Sequence, residues 1–379
     1  MPDGQETVQS GAPVQLFSFN LYNPSRVQAT TPPSFQDPVC LVCGGTDTRQ
    51  RFVQRGYVVM RCSGCGLEFV DPTPSPAELA EYYDQSYAVP LERYAAAGER
   101  NRARIADLER WSPARGRLLE IGASYGHSLA LARERGWEVV GVELSPTASA
   151  HAREHFGLTV FNCDLADVPL PDASIDAAIG WHVLEHVRDP KDHLLRLAGL
   201  LKPGGILGLR VPNVASFGAR VAGQWWPWMC PPAHLWFFSP TTLPRLVAAC
   251  GFEVEEIRML RGDGNNLYQY ALMAAGARLN DLRVLLRGSS DSRREVPTNA
   301  VRGSSPESPP EPNMSDAVPQ AGTAAIPKEP SHLLQRWLDL LERAQPLTDS
   351  LARGTRPLLE AIERRGWGDE LLVYARRRG

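Results

Sequence analysis

From Arg117 onward the chain alternates short apolar runs with helical patterns, and this alternation constrains the fold more than any other feature. RLLEI, EVVGV, LTVFN, IDAAIG and ILGLRV are strand-like, and SLALARER and HLLRLAGLL are helix-like. Strand, helix and strand in repeated order predict an α/β fold: a parallel sheet wound by right-handed crossovers. In such sheets ligands bind beyond the C-terminal ends of the strands. The residues that end these runs are therefore the first candidates for a functional site.

The flanking composition sets the domain organisation. The chain has 379 residues, enough for one large domain and something smaller. Residues 1–36 are rich in Pro, Ser, Thr and Gln and predict a disordered arm. Residues 37–74 carry a cysteine cluster. Over 75–112 the pattern predicts a helical lead-in or lid: Ser75 can cap, Pro76 suits a first turn, and Leu79, Tyr82 and Tyr83 share a face. The α/β core follows over 113–286. Residues 287–330 are rich in Ser, Pro and Glu and predict a disordered insertion. Residues 331–379 then supply helices, in SHLLQRWLDLLERA and RPLLEAIERRG, and a closing strand of the core in GDELLVYA. The competing last strand, Leu267 to Ala274, sits in a twenty-residue helical pattern too long for a strand.

The stretch Leu118 to Pro146, LLEIGASYGHSLALARERGWEVVGVELSP, shows what the sheet is for. RLLEI enters a turn at Gly122 and leaves it as a helix that ends near Gly136. Gly122-Ala123-Ser124-Tyr125-Gly126 lets a ligand approach the backbone. One strand over, Glu143 followed by Leu144 emerges on the same edge, placed to accept from a ribose diol. A third strand delivers Asp164 and Leu165 to that edge. Glu120, Glu143 and Asp164 together describe a site for a nucleoside bearing a positive group. Each acid has an ordinary alternative as a solvated loop residue, and Asp164 could cap the next turn. The glycine spacing is G-x-x-x-G with Glu120 two residues ahead, which differs from the dinucleotide fingerprint G-x-G-x-x-G. A carboxylate there suits a cationic amino-acid tail and sits poorly beside a pyrophosphate. This favours S-adenosylmethionine over NAD.

On these residues the chain resembles the class I S-adenosylmethionine-dependent methyltransferases, whose first motif reads acidic-x-G-x-G-x-G. It keeps Glu120, Gly122 and Gly126 and has Ser124 at the middle glycine. LLKPGGILGL and HLWFFSPTTLPRLVAACGF also look like this family. The resemblance covers about Arg117 to Phe252 and the closing strand. It implies a Rossmann-like seven-stranded methyltransferase sheet. It also implies that Glu120 and Gly122 hold the methionine end, Glu143 the ribose hydroxyls, and Asp164 with Leu165 the adenine edge.

Cys40-Leu-Val-Cys43 and Cys62-Ser-Gly-Cys65 have the spacing of a four-cysteine zinc site. Each pair makes a knuckle presenting two thiolates, and four thiolates fill a Zn²⁺ tetrahedron, so the metal is structural. The YVVMR between them suits a hairpin strand. The expectation is a small N-terminal zinc ribbon with four cysteine ligands. A similar ribbon occurs in sugar C-methyltransferases, and the continuation CGLEFVDPTPSPAELAEYYDQSY also resembles theirs. That resemblance would place the ribbon beside the acceptor pocket.

The fourth strand ends IGWHVLEHVRDP. In a following helix or turn His182, Glu185 and His186 can share a face, and a later loop supplies His234. An imidazole is a suitable base for a hydroxyl acceptor near neutral pH. Alternatively His182, Glu185, His186 and His234 gather a divalent metal that acidifies the hydroxyl. That set resembles the E-x-x-E-H pattern with a later His of some ubiquinone-pathway and RNA 3′-end O-methyltransferases, with His182 in place of a Glu. A purely structural turn is the third reading. The loop Gln224 to Met229, with Trp225, Trp226 and Trp228, suits a pocket wall or an apolar plug.

The expected function is methyl transfer from S-adenosylmethionine to a small-molecule acceptor, a sugar, glycan or secondary-metabolite hydroxyl, with carbon as the other target. An NAD(P)-dependent oxidoreductase and a non-enzymatic zinc-ribbon adaptor are the rival classes. The net charge of −3 gives no basic field, which disfavours a nucleic-acid partner. No apolar stretch is long enough to span a bilayer, and the start lacks a signal-peptide pattern. With four of seven cysteines in CxxC pairs, a cytoplasmic location is expected. The sequence does not fix an oligomeric state.

Overall fold

The computed structural model describes residues 39–79, 82, 98–261, 365 and 367–379. The chain divides into two compact units, Met1–Ala274 with Arg356–Gly379, and Ala275–Thr355. The second unit lies wholly outside the described residues, as do the expected arm over 1–36, the rival strand at Leu267 to Ala274, the insertion over 287–330 and the two helices after it. Much of the lead-in between Leu79 and Gly98 does too. At its start, Ser75 and Glu78 form a reciprocal capping box. The Glu78 amide donates to Ser75 Oγ at 3.2 Å and the Ser75 amide to Glu78 Oε2 at 2.7 Å.

In chain order the elements are β1 (Thr48–Gln54), β2 (Tyr57–Cys62), β3 (Glu68–Val70), α1 (Gly98–Trp111), β4 (Arg117–Ile121), α2 (His127–Glu134), β5 (Glu138–Val142), α3 (Pro146–Phe156), β6 (Val160–Phe161), β7 (Ile175–Trp181), α4 (Pro190–Leu200), β8 (Leu201–Pro212), α5 (Phe217–Ala222), β9 (Trp236–Phe237), α6 (Thr242–Ala249), β10 (Phe252–Leu260) and β11 (Glu370–Arg377). Local chemistry sets the helix ends. Ser145 caps α3 by accepting from the Ala148 amide, with Pro146 in its first turn. Asp189 and Pro190 do the same for α4. The helix α2 ends in a Schellman arrangement. Gly136, at φ 93°, donates to Arg133, and Trp137 donates to Ala132.

The main sheet has the order β10-β11-β8-β7-β4-β5-β6. Strands β4 to β8 pair in parallel, and β11 lies antiparallel between β10 and β8. The sheet is the seven-stranded methyltransferase type. One face buries Leu119, Ile121, Val142, Leu207 and Val373. The other buries Leu118, Ile179 and Tyr374 under Ile105 and Leu108 of α1. A second sheet, β1-β2-β3-β9, joins the N-terminal hairpin to two residues far along the chain. Cys40, Cys62, Leu67 and Phe69 share the first core face, so the hairpin packs into the same core. Among the described residues, no helix is long and apolar enough to cross a membrane.

Candidate functional site

The parallel pairing of β4, β5 and β6 puts Glu120, Glu143 and Asp164 on one edge of the sheet. They differ in environment. Glu120 is 3% exposed, and among the described residues its Oε2 has no hydrogen-bond partner. Burial pushes its carboxyl up to about 8; the Ser128 hydroxyl and Arg104 pull it down, and the Glu143 charge adds to the rise. Glu143 is half-buried and accepts from two amides, Ser124 at 2.8 Å and Ser145 at 2.7 Å, so it ties the glycine turn to the start of α3. Leu144 beside it is 67% exposed. Asp164 is exposed and caps the short turn Leu165–Asp167, accepting from the Ala166 amide at 2.9 Å. Leu165 is buried. The Asn162 side chain donates to the carbonyls of Glu143 and Leu144, locking the ends of β5 and β6 together.

The glycine turn is shaped by close approach. Gly122 has φ 66°, and a Cβ there would lie 2.7 Å from Cγ2 of Val183. Gly126 has φ 86°, and a Cβ would lie 2.8 Å from Ala152 and from Leu158. Ser124, at the position where a glycine is expected, adopts φ 49°, a left-handed conformation that a side chain disfavours. Ala123 is buried beneath the turn.

The segment after β7 is a turn, and within it His182, Glu185 and His186 converge. His182 has φ 58°; its Nδ1 is 3.3 Å from Glu185 Oε1 and its Nε2 3.6 Å from Glu370 Oε2. Glu370 opens β11 and also pairs with Arg210 of β8. Burial alone would depress the His182 imidazole, but the two carboxylates outweigh it and raise it to about 9. Burial would raise Glu370; His182 and Arg210 instead draw it down to about 2. His182 therefore favours its protonated form near neutral pH and sits between the two carboxylates. His186 and His234 differ: burial lowers both, His234 to about 3. His186 Nδ1 lies 2.8 Å from the Ala233 carbonyl and His234 Nδ1 2.7 Å from that of Trp228. Glu185 is fully buried, and among the described residues its Oε2 has no hydrogen-bond partner. One ligand atom each from Glu185, His186 and His234 lie within 4.8 Å of one another; His182 is not in this group. Trp228 stacks on His182 at 5.2 Å and lies nearly parallel to His234, while Trp226 is a buried apolar plug.

The Sγ atoms of Cys40, Cys43, Cys62 and Cys65 also lie within 4.8 Å of one another. Two backbone knuckles hold them, with Gly44 donating to the Cys40 carbonyl and Gly66 to that of Cys62. The donor set and its clustering fit a tetrahedral Zn²⁺.

The family described as a methyltransferase domain matches residues 87–257. A protein of Mycolicibacterium smegmatis named as a probable S-adenosylmethionine-dependent methyltransferase is 29% identical over 37% of this chain and 52% of its own length. A ubiquinone biosynthesis O-methyltransferase of Caulobacter vibrioides is 30% identical over 50% of this chain and 78% of its own. The chain belongs to the S-adenosylmethionine-dependent methyltransferase family. It spans about half or less of the first curated relatives it matches. Among solved structures, a methyltransferase from Archaeoglobus fulgidus is 16% identical, covering 80% of this chain and 100% of its own, at a TM-score of 0.40.

Sequence reasoning missed several residues of this site. Glu370, whose Oε2 is 3.6 Å from His182, and Arg210, which pairs with Glu370, were not among the expected site residues. Arg104, whose guanidinium lies 5.7 Å over the Trp181 ring, and Ser128 both act on Glu120. A charged residue inside an apolar strand, as Arg210 is in ILGLRV, was the available signal: such a charge needs a buried partner.

Proposed function

We propose that the methyltransferase moves a methyl group from S-adenosylmethionine to a hydroxyl oxygen of a small-molecule acceptor, a sugar, glycan unit or related secondary metabolite. The observation that carries this reading is the buried group of Glu185, His186 and His234 at the end of β7. A hydroxyl must lose its proton to attack a methyl group, and this group provides acceptors for it. The names of the ubiquinone-pathway relatives support oxygen as the target; the resemblance of CGLEFVDPTPSPAELAEYYDQSY to sugar C-methyltransferases supports the acceptor class.

S-adenosylmethionine fits the rim on two observations: the buried, unpartnered Glu120 Oε2 and the close-packed Gly122, where a side chain would clash. Glu120, Gly122, Ala123, Ser124 and Gly126 would hold the methionine end, Glu143 with Leu144 the ribose, and Asp164 with Leu165 the adenine. The bound sulfonium supplies an already activated methyl group. The chain's part is alignment, water exclusion and handling of the acceptor proton.

For that proton, the Nδ1 contacts with backbone carbonyls fix the tautomers of His186 and His234 and put the lone pair on Nε2. Of the two, His186 is the proton acceptor; His234, drawn down to about 3, is too weak a base near neutral pH and serves as a neutral neighbour or metal ligand. The clustering of Glu185, His186 and His234 also fits a divalent cation held by the three. Such a cation would lower the pKa of a coordinated hydroxyl. His182 then holds the Glu185 carboxylate in place.

The test combines two variants with labelled S-adenosylmethionine and a panel of nucleotide sugars and hydroxylated metabolites. His186→Gln should lower kcat by about a hundredfold or more while leaving S-adenosylhomocysteine affinity unchanged. Glu143→Ala should weaken that affinity by more than about 1 kcal/mol. Methyl groups found on carbon or nitrogen, or an unaltered rate in His186→Gln, would defeat the reading.

A further inference from the structure

Glu120 is a buried carboxyl, and among the described residues its Oε2 has no hydrogen-bond partner. It lies on β4, on the sheet side covered by α1 and α2. Among the described residues the charged groups acting on it are Arg104 from α1 and Glu143 from the end of β5; α2 contributes only the neutral Ser128 hydroxyl. Arg104 is engaged over Trp181, and Glu143 repels a second negative charge. An ionised carboxylate in such a setting lacks solvation and keeps its proton instead.

The cofactor changes that balance. S-adenosylmethionine carries an α-ammonium, and in the site proposed above, on which this inference rests, its methionine end lies against Glu120. A cation delivered to an unpartnered buried carboxyl stabilises the ionised form. We infer that the methyltransferase binds its cofactor with release of one proton from Glu120 to solvent. The carboxyl O–H bond breaks, the proton goes to the buffer, and the carboxylate pairs with the incoming ammonium. No oxidant or co-reactant is needed. Glu120 thus sets a pH dependence of cofactor binding separate from the acceptor chemistry.

Linkage fixes the sign. The free protein holds a proton that the complex lacks, so affinity rises with pH below the free carboxyl's titration. The ligand ammonium stays charged below about pH 7.7, which leaves a usable window. The experiment is calorimetry of S-adenosylhomocysteine, which bears the same ammonium, on the full chain in buffers of different ionisation enthalpy. About one proton per ligand should be released. Affinity should be roughly tenfold tighter at about pH 7 than at about pH 6. Glu120→Gln should bind with no proton release and no such dependence. Infrared difference spectra of the wild type should show the protonated-carboxyl C=O band disappearing on binding, a readout that does not require the variant to fold.

Binding without proton release, or with the C=O band retained, overturns the inference. So does release that persists in Glu120→Gln, since the proton then comes from another group. Absence of any binding defeats the cofactor reading itself.

Discussion

Replacing Glu370 by Gln removes the charge that clamps Arg210 and His182. The Glu370 side chain is 2% exposed and that of Arg210 8%, so water cannot solvate what is left behind. Breaking a buried ion pair by removing one partner costs on the order of 3–5 kcal/mol, and the isosteric amide, which still offers an oxygen, favours the lower end, about 3 kcal/mol. With a urea dependence near 3 kcal/mol per molar for a domain of this size, the unfolding midpoint should fall by about 1 M. The wild type should also lose stability at both ends of the pH scale. Glu370 is held below its ordinary 4.5, so its contribution is present above that value and lost as pH falls toward about 2. His182 is held above its ordinary 6.5, so its contribution is present below that value and lost as pH rises through about 9. Glu370→Gln should flatten both limbs. Urea unfolding across pH is the assay. A loss under about 1 kcal/mol at neutral pH, or limbs unchanged in the variant, would show that the network contributes little.

Two further outcomes follow from local geometry. Ser124→Gly relieves a left-handed conformation at φ 49° and should raise stability by about 1 kcal/mol, offset in part by a looser unfolded chain; thermal unfolding reads it, and a destabilised variant would mean the serine side chain contributes more than its backbone costs. Metal analysis should return about one zinc per chain held by the four cysteines, and chelation should disorder β1 to β3 and expose Cys40 and Cys62, now buried, to thiol reagents. Unaltered thiol accessibility after zinc loss would refute a structural metal.

The local signals were legible because they are written in short periods. RLLEI and EVVGV are strands over the residues that their apolar patterns marked, and Ser75, Asp164 and Gly136 occupy cap positions open to them from the sequence. LTVFN was harder, since only Val160 and Phe161 pair at the sheet's edge. Periodicity also left the segment after β7 open between helix and turn. The structure makes it a turn, because His182 leaves β7 in a left-handed conformation and α4 starts only at Pro190, behind its Asp189 cap.

The sequence by itself determined the alternation of strands and helices, the glycine turn with Glu120 ahead of it, the acids ending successive strands and the two cysteine knuckles. Only the tertiary structure decided their partners. Strand β9 completes the ribbon's sheet, Glu370 reaches Arg210 from 160 positions away, and His182 becomes a clamped cation while His186 and His234 stay neutral. The physical reason is range. A side-chain pattern records which face of its own element is apolar, whereas the charge state of a buried group depends on which distant residues replace its water.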